Sequence, residues 1–290
     1  MLLEYISRKD DADNVRITGK PCDGGSAEQN KKGKTIKNVT VNQSPHKFTF
    51  YSGDPQEYDK LLSGRQVGEA CALAGQVEIA LGDARLLFTD GTNIRYLKEG
   101  EKPPKKHQLF VEFTDDTALV CTVQMYGGIH AFLDGQNDNP YYLVAKEKPT
   151  PYMEAFDRTY FETLYQNAKD NLSVKALLAT EQRIPGLGNG VLQDILFHAG
   201  IHPKEKIGNI DETKRDMLFI SLKKTLLEMR ENGGRDTEKN LFGEYGGYQT
   251  YLSKKTLEEP CPKCGGWISR QAYLGGNIYF CPRCQPVDVK

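Results

Sequence analysis

The sequence predicts an α+β protein with an antiparallel β-sheet region first, a helical region after it, and a four-cysteine hairpin at the C-terminal side. Three observations carry that prediction. Between residues 35 and 144, short β-branched and aromatic runs alternate with turn dipeptides. Beyond Lys146, apolar residues recur at helical spacing. Four of the seven cysteines form two Cys-x-x-Cys pairs within the last thirty residues.

Residues 1–34 contain Asp10-Asp11, Cys22-Asp-Gly-Gly25 and Lys31-Lys32, with no sustained apolar period, and read as a solvated arm. Thr35–Val41 alternates as a half-buried strand does. Ala84–Phe88, Leu109–Phe113 and Thr117–Gln124 are further strand runs, bounded by Asp90-Gly91, Asp115-Asp116 and Asp134-Gly135. Short strands separated by turns predict an antiparallel sandwich or barrel over residues 35–145. Lys146–Pro151 is polar, holds two prolines and reads as a linker. Ser173 suits the N-cap of a helix running through Ala176, Leu177 and Leu178 to Arg183, which Pro185-Gly-Leu-Gly188 breaks. Asn189 suits the cap of a second helix, Val191–His198, closed by Gly200 and Pro203. A third begins near Asn209 or Asp211, carries Leu218, Leu222, Leu226 and Met229 as its apolar stripe, and ends at Gly233-Gly234. These boundaries divide the chain into residues 1–34, 35–145, 146–250 and 251–290.

With 290 residues and a formal net charge of −1, the chain can bury one large core or two ordinary ones. No run approaches the roughly 18 apolar residues that a membrane helix needs, and charges interrupt the first thirty residues. Neither a membrane span nor a signal peptide is expected, and the chain reads as soluble and cytoplasmic. A near-neutral total neither announces nor excludes a nucleic-acid partner, because local clusters govern binding.

Cys261-Pro-Lys-Cys264 and Cys281-Pro-Arg-Cys284 enclose sixteen residues. Two residues between thiolates let both sulfurs of a knuckle face one ion, and two knuckles at the ends of a hairpin complete a tetrahedral site. Four thiolates leave no open ligand position, so the prediction is one structural zinc ion (Zn2+); disulfides and a redox pair are the competing readings. The intervening residues read as a hairpin turning at Leu274–Asn277. Lys254, Lys255, Lys263, Arg270, Arg283 and Lys290 outnumber Glu258, Glu259 and Asp288 there, which suits phosphate contact and an ordinary solvated face alike. Cys71 and Cys121 lie among apolar residues and are expected to be core thiols. His46, His107, His130, His198 and His202 show no metal spacing, and Asp194 and Glu181 are expected at helix surfaces or caps.

Pro185-Gly-Leu-Gly-Asn189 opens directly into a helix. Glycines let a backbone approach a ligand, and helix-start N–H groups with an Asn amide form a phosphate clamp. A plain helix-turn-helix packing element is the alternative. The run from Ile184 to Pro203, followed by the four-cysteine hairpin and a terminal Cys284-Gln285, resembles the formamidopyrimidine-DNA glycosylase and endonuclease VIII family. The resemblance implies a β-sandwich domain, a helix-two-turns-helix domain and a zinc finger that together grip duplex DNA and flip a damaged base from the stack. It places Asn189, approached through Gly188, at the phosphate-binding position. Gly233–Lys239, with Arg235, takes the place of the loop over the extruded base. Gln124, Met125 and Tyr126 look like the wedge that fills the vacated gap, with strand core as the alternative for Met125 and Tyr126.

The chain departs from that family at three chemical positions. Members start Met-Pro-Glu, with the proline amine as nucleophile and the Glu as proton carrier, whereas this chain starts Met1-Leu2-Leu3-Glu4. The hairpin lysine has no counterpart, Gly75–Ile79 standing in its region. The Arg five residues before the third cysteine is Gly276, leaving Arg270 or Arg283 as the replacement anchor. A frame shift rejoining the pattern at Lys32-Gly-Lys-Thr-Ile36 would explain the first departure. The resemblance implies a base-excision DNA-repair enzyme, a DNA glycosylase with AP lyase activity, acting as a monomer on oxidised bases or abasic sites in duplex DNA. Loss of the proline leaves a second reading, a non-catalytic damaged-DNA binder. A third, a zinc-ribbon interaction module on an unrelated β-domain, is opposed by the Asn189 loop.

Overall fold

The structure, a computed structural model, describes residues 33–287. The expectations placed on residues 1–32, including Met1, Glu4 and Cys22, lie outside the described residues, as do Asp288 and Lys290. Two compact units form: a sheet unit running up to Leu143 and joined by Glu238–Gly246, and a helical unit of Val144–Thr237 with the chain from Gly247 onward. Among the described residues no helix is long and apolar enough to cross a membrane.

The sheet unit is a sandwich, with strands numbered in chain order. One sheet runs β1 (Ile36–Val41), β7 (Leu109–Phe113), β8 (Ala118–Val123), β6 (Thr92–Leu97), all antiparallel. The other runs β2 (Thr49–Tyr51), β9 (Gly127–Leu133), β5 (Ala84–Phe88), β4 (Gln76–Leu81), β3 (Ala70–Leu73). The pairing of β2 with β9 is parallel, a departure from the antiparallel expectation that the long connection between them permits. Alternate residues face inward: Val77, Ile79 and Leu81 meet Leu86 and Phe88 on one side and Val111, Phe113, Leu119 and Cys121 on the other. A short helix, α1 (Tyr58–Leu62), buries Tyr58 and Leu62, and the Tyr58 hydroxyl donates to the Ile129 carbonyl at 3.0 Å.

Strands β4 and β9 are buried almost throughout, so they lack the polar alternation that marks a half-exposed strand. On β4, Glu78 is buried and accepts from the Tyr142 hydroxyl at 2.6 Å, on α2 (Pro140–Glu147). That helix runs through Lys146, so the linker begins after Glu147 rather than at Lys146. The Glu238–Gly246 segment belongs with the sandwich because Leu241 enters its core, Tyr96 N–H donates to the Leu241 carbonyl at 2.9 Å, and Phe242 meets Tyr96 edge-on. Cys121 is fully buried as a thiol; Cys71, on β3, is half-buried and is not a free thiol, which corrects its reading.

In the helical unit, α3 (Arg158–Gln166) is capped by Asp157, α4 (Val174–Ala179) by Ser173, and α6 (Glu212–Glu231) by Asp211, each side chain accepting a first-turn N–H. Leu218, Leu222, Leu226 and Met229 of α6 are buried against α5 (Asn189–Ala199), as the stripe predicts. Helix α4 stops four residues short of Arg183. Glu181 and Gln182 both take positive φ, and the Arg183 guanidinium caps the helix end by donating to the Ala176 and Thr180 carbonyls. Glu181 therefore sits in a turn, paired with Arg183, rather than on a helix.

Candidate nucleic-acid interface and metal centre

Two consecutive turns join α4 to α5. Arg183 N–H closes the first on the Thr180 carbonyl, and Leu187 N–H closes the second on the Ile184 carbonyl at 3.2 Å. In the second turn Pro185 precedes Gly186 at φ +77°, the sequence that a type II turn requires. The turns deliver the chain extended into Gly188, which is the N-cap of α5; Asn189 is the first helical residue, not the cap expected of it. Helix α5 has no side-chain cap, unlike α3, α4 and α6, so its first-turn N–H groups keep their donor capacity. Gly200, at φ +69°, closes its C-terminal end.

The N-terminal part of α5 grips the C-terminal hairpin, β10 (Ser269–Tyr273) and β11 (Gly276–Phe280), through Asn189 and Gln193. The Asn189 Nδ2 donates to the Asn277 carbonyl at 2.8 Å, and its Oδ1 accepts from Gln193 Nε2 at 3.2 Å. Gln193 Oε1 in turn accepts from Tyr279 N–H. The Asn189 amide is thereby fixed in orientation while one Nδ2 hydrogen remains for a ligand. Asp194, expected on the surface, is fully buried and accepts from the Tyr251 and Leu252 N–H groups at 3.0 and 2.8 Å. Burial pushes its carboxyl up to about 6, against the pull of those two amides. At the far end, Lys263 Nζ donates to the Phe197 carbonyl at 2.9 Å, placing a cation on the helix C-terminus.

The hairpin brings the four predicted thiols together. Cys261 and Cys284 Sγ lie 3.8 Å apart, Cys264 and Cys281 3.4 Å, and all four within 4.8 Å of one another. A tetrahedral S4 zinc site, with Zn–S near 2.3 Å, has edges of about 3.8 Å, so the cluster can hold a metal ion. Gln285 explains the terminal Cys-Gln pair: fully buried, it accepts from Cys281 N–H and donates to the Ile201 carbonyl, tying the knuckle to the end of α5.

The cation beside Asn189 is neither Arg270, exposed on β10, nor Arg283, which lies against Gly266. It is Lys175 on α4. A Cβ on Gly276 would stand 3.5 Å from Asn189 Nδ2 and 3.9 Å from Lys175 Nζ. Lys175 is 3% exposed, its Nζ donates to the Tyr273 carbonyl at 2.7 Å, and burial lowers its pKa. Sequence reasoning missed it because a lone lysine on a helix reads as surface. Arg235 also departs from expectation: it is 5% exposed, with its guanidinium against Gly190 in the first turn of α5. In the sheet unit, Gln124, Met125 and Tyr126 form the β8–β9 turn, and Met125 and Tyr126 are 74% and 52% exposed, so neither is strand core.

These features define a class: a β-sandwich unit accompanied by a helix-two-turns-helix unit that carries a cysteine-clustered hairpin. The chain is a homologue of proteins named formamidopyrimidine-DNA glycosylase. It is 29% identical to the one from Bacillus subtilis (strain 168), over 88% of this chain and 92% of that protein. It is also 29% identical to the one from Shouchella clausii (strain KSM-K16), over 88% and 93%. No family model matches the chain. Among solved structures, Lactococcus lactis Fpg in complex with abasic-site DNA aligns with a TM-score of 0.74 and 24% identity, covering 88% of this chain and 93% of that one. MutM (Fpg) from Thermus thermophilus aligns at 0.73 and 23%, with the same coverage. At those identities the likeness establishes the fold.

Proposed function

We propose that the chain is a base-excision DNA-repair protein, a DNA N-glycosylase with AP lyase activity that recognises oxidised bases or abasic sites in duplex DNA. The observation that carries this reading is the start of α5, uncapped, with the Asn189 amide fixed against the hairpin and Lys175 beside it. The names of the homologues support it, as do the structural neighbours, which include L. lactis Fpg on abasic-site DNA and MutM with carbocyclic 8-oxo-G DNA.

In this reading the α5 N–H groups, Gly188 and Asn189 hold a phosphate, and Lys175 supplies the positive charge that Gly276 does not. Gln124, Met125 and Tyr126 enter the stack from the sheet unit, a role their exposure suits. Arg270 lies on the exposed face of the hairpin and contacts the backbone of the duplex. Arg235 acts indirectly, by holding the first turn of α5. Cys261, Cys264, Cys281 and Cys284 hold one zinc ion, which supplies rigidity to the hairpin and no chemistry, because four thiolates leave no open position. For the reaction, an amine of the chain attacks the sugar C1′, the base departs with a proton, and the resulting imine allows loss of the C2′ proton and the 3′ phosphate. That amine is the chain's own α-amine, whichever residue carries it, or a lysine. Borohydride trapping on abasic-site duplex, with intact-mass analysis of the same preparation, tests this. A covalent adduct is expected, and peptide mapping then identifies the amine. Absence of an adduct with tight, damage-selective binding would replace catalysis with the non-catalytic reading.

A further inference from the structure

The sheet unit carries a second exposed aromatic surface beside the Met125-Tyr126 turn. Phe48 and Phe50 are 48% and 56% exposed, although both precede or occupy strand β2. Phe48 lies in the turn that the Thr49 N–H closes on the His46 carbonyl at 3.0 Å, and Phe50 follows it on β2 with its side chain exposed, while Tyr51 turns inward and packs on the core. The surface is continuous with the turn: Gly127 N–H donates to the Phe48 carbonyl at 3.0 Å, and Thr49, Phe50 and Tyr51 pair with Gly127, Gly128 and Ile129. Gly128, opposite Phe50, has no side chain with which to cover it; a Cβ there would stand 2.4 Å from His130 Nε2.

The charge around this patch favours a polyanion. Lys47 Nζ lies 5.3 Å from the Phe48 ring centroid, and His46 meets the same ring edge-on at 6.4 Å. Neither contributing segment contains a carboxylate: none occurs in residues 42–53 or in residues 117–133. Asp90 lies close enough to the turn for its charge to raise the pKa of Tyr126. Aromatic faces with an adjacent cation and no carboxylate are how proteins stack unpaired bases while holding the phosphate between them.

We infer that Phe48 and Phe50 form a stacking platform that extends the Met125-Tyr126 turn and receives an unpaired base of the bound DNA, with Lys47 on its phosphate. The inference rests on the DNA-binding reading above and assigns to β2 a part in choosing duplexes that contain an unpaired base. The apolar area would otherwise be an unexplained exposure of two phenylalanines at a sheet edge.

The test compares the full chain with Phe48→Ala/Phe50→Ala and Phe48→Tyr/Phe50→Tyr, titrating duplexes with and without a tetrahydrofuran abasic-site analogue at several salt concentrations. The alanine pair should lose about 5- to 150-fold in affinity for the abasic duplex, at an unchanged salt slope, and the tyrosine pair should keep it. Lys47→Ala should make the salt slope shallower by about one. Because the rings are exposed, the alanine pair should fold, which thermal melting checks. An alanine pair that binds the abasic duplex as the parent does overturns the platform. Hydroxyl-radical footprinting supplies an independent arm: Phe48 and Phe50 should oxidise in the free chain and be protected by abasic duplex. Protection already present in the free chain, from its own residues 1–32 or a second copy, overturns the inference. A parent chain without preference for abasic over intact duplex overturns the underlying DNA reading instead, a result distinct from either.

Discussion

Asn189 and Lys175 stand within 4 Å of the same point above Gly276, and in the phosphate site proposed above they would act through different physics. An amide donates a hydrogen bond and displaces no counterion; a lysine charge does displace one. Asn189→Ala is expected to weaken DNA binding at every sequence with little change in salt slope, whereas Lys175→Met should make the slope shallower by about one. Equal slopes for Lys175→Met and the parent would remove Lys175 from the phosphate site. Asn189 is legible in the sequence because glycines and an amide at a helix start have a phosphate-binding logic of their own. Lys175 is not, since the feature that matters, its placement under Gly276, exists only once α4 and the hairpin meet. Asp194 is hidden for the same reason: a carboxylate on a helix reads as exposed until the chain at Tyr251 and Leu252 folds over it. Its folded pKa of about 6 lies above the ordinary 3.8, so the folded chain holds that proton more tightly. The contribution of Asp194 to stability therefore falls as pH rises from about 4 to about 6, and is level above. Asp194→Asn should remove this dependence, so its melting temperature relative to the parent should improve between pH 4 and pH 7. A constant difference over that range would contradict the assignment.

At the scale of elements, regular patterns are legible and irregular backbone is not. The strands Ala84–Phe88 and Leu109–Phe113 match the sequence expectation to the residue, because short apolar and aromatic runs bounded by turn dipeptides are too short to read as helices. The end of α4 falls short of its expected place because two non-glycine residues, Glu181 and Gln182, take the left-handed conformation, which no composition rule marks. The Cys-x-x-Cys spacing transfers directly into a clustered site, since ligand spacing encodes its own geometry. Zinc at that cluster would contribute folding free energy to a hairpin whose other fastenings are Gln285 and the contacts to α5. Cys261→Ser should lose the bound zinc and expose β10 and β11 to hydrogen exchange, with loss of DNA affinity. A full equivalent of zinc retained at unchanged affinity would refute the ligand assignment.

For the whole molecule, the sequence carries the order of sheet, helices and cysteine hairpin, but not the way Glu238–Gly246 leaves the helical unit to place Leu241 in the sandwich core. A single buried leucine in a short irregular segment has no periodicity to announce it. The parallel strand β2 is equally silent, at three residues too short for an alternation to register. Strand β2 carries the exposed Phe50, directly after Phe48 and paired with the start of β9 beside the Met125-Tyr126 turn. The central claim, that these parts recognise damage in duplex DNA, is tested most directly by one competition measurement at fixed salt: the affinity for a duplex with a single abasic-site analogue against that for the intact duplex of the same sequence. Binding at least about tenfold tighter to the abasic duplex, roughly 1.4 kcal/mol, is the predicted result. Equal affinity for the two duplexes would contradict it.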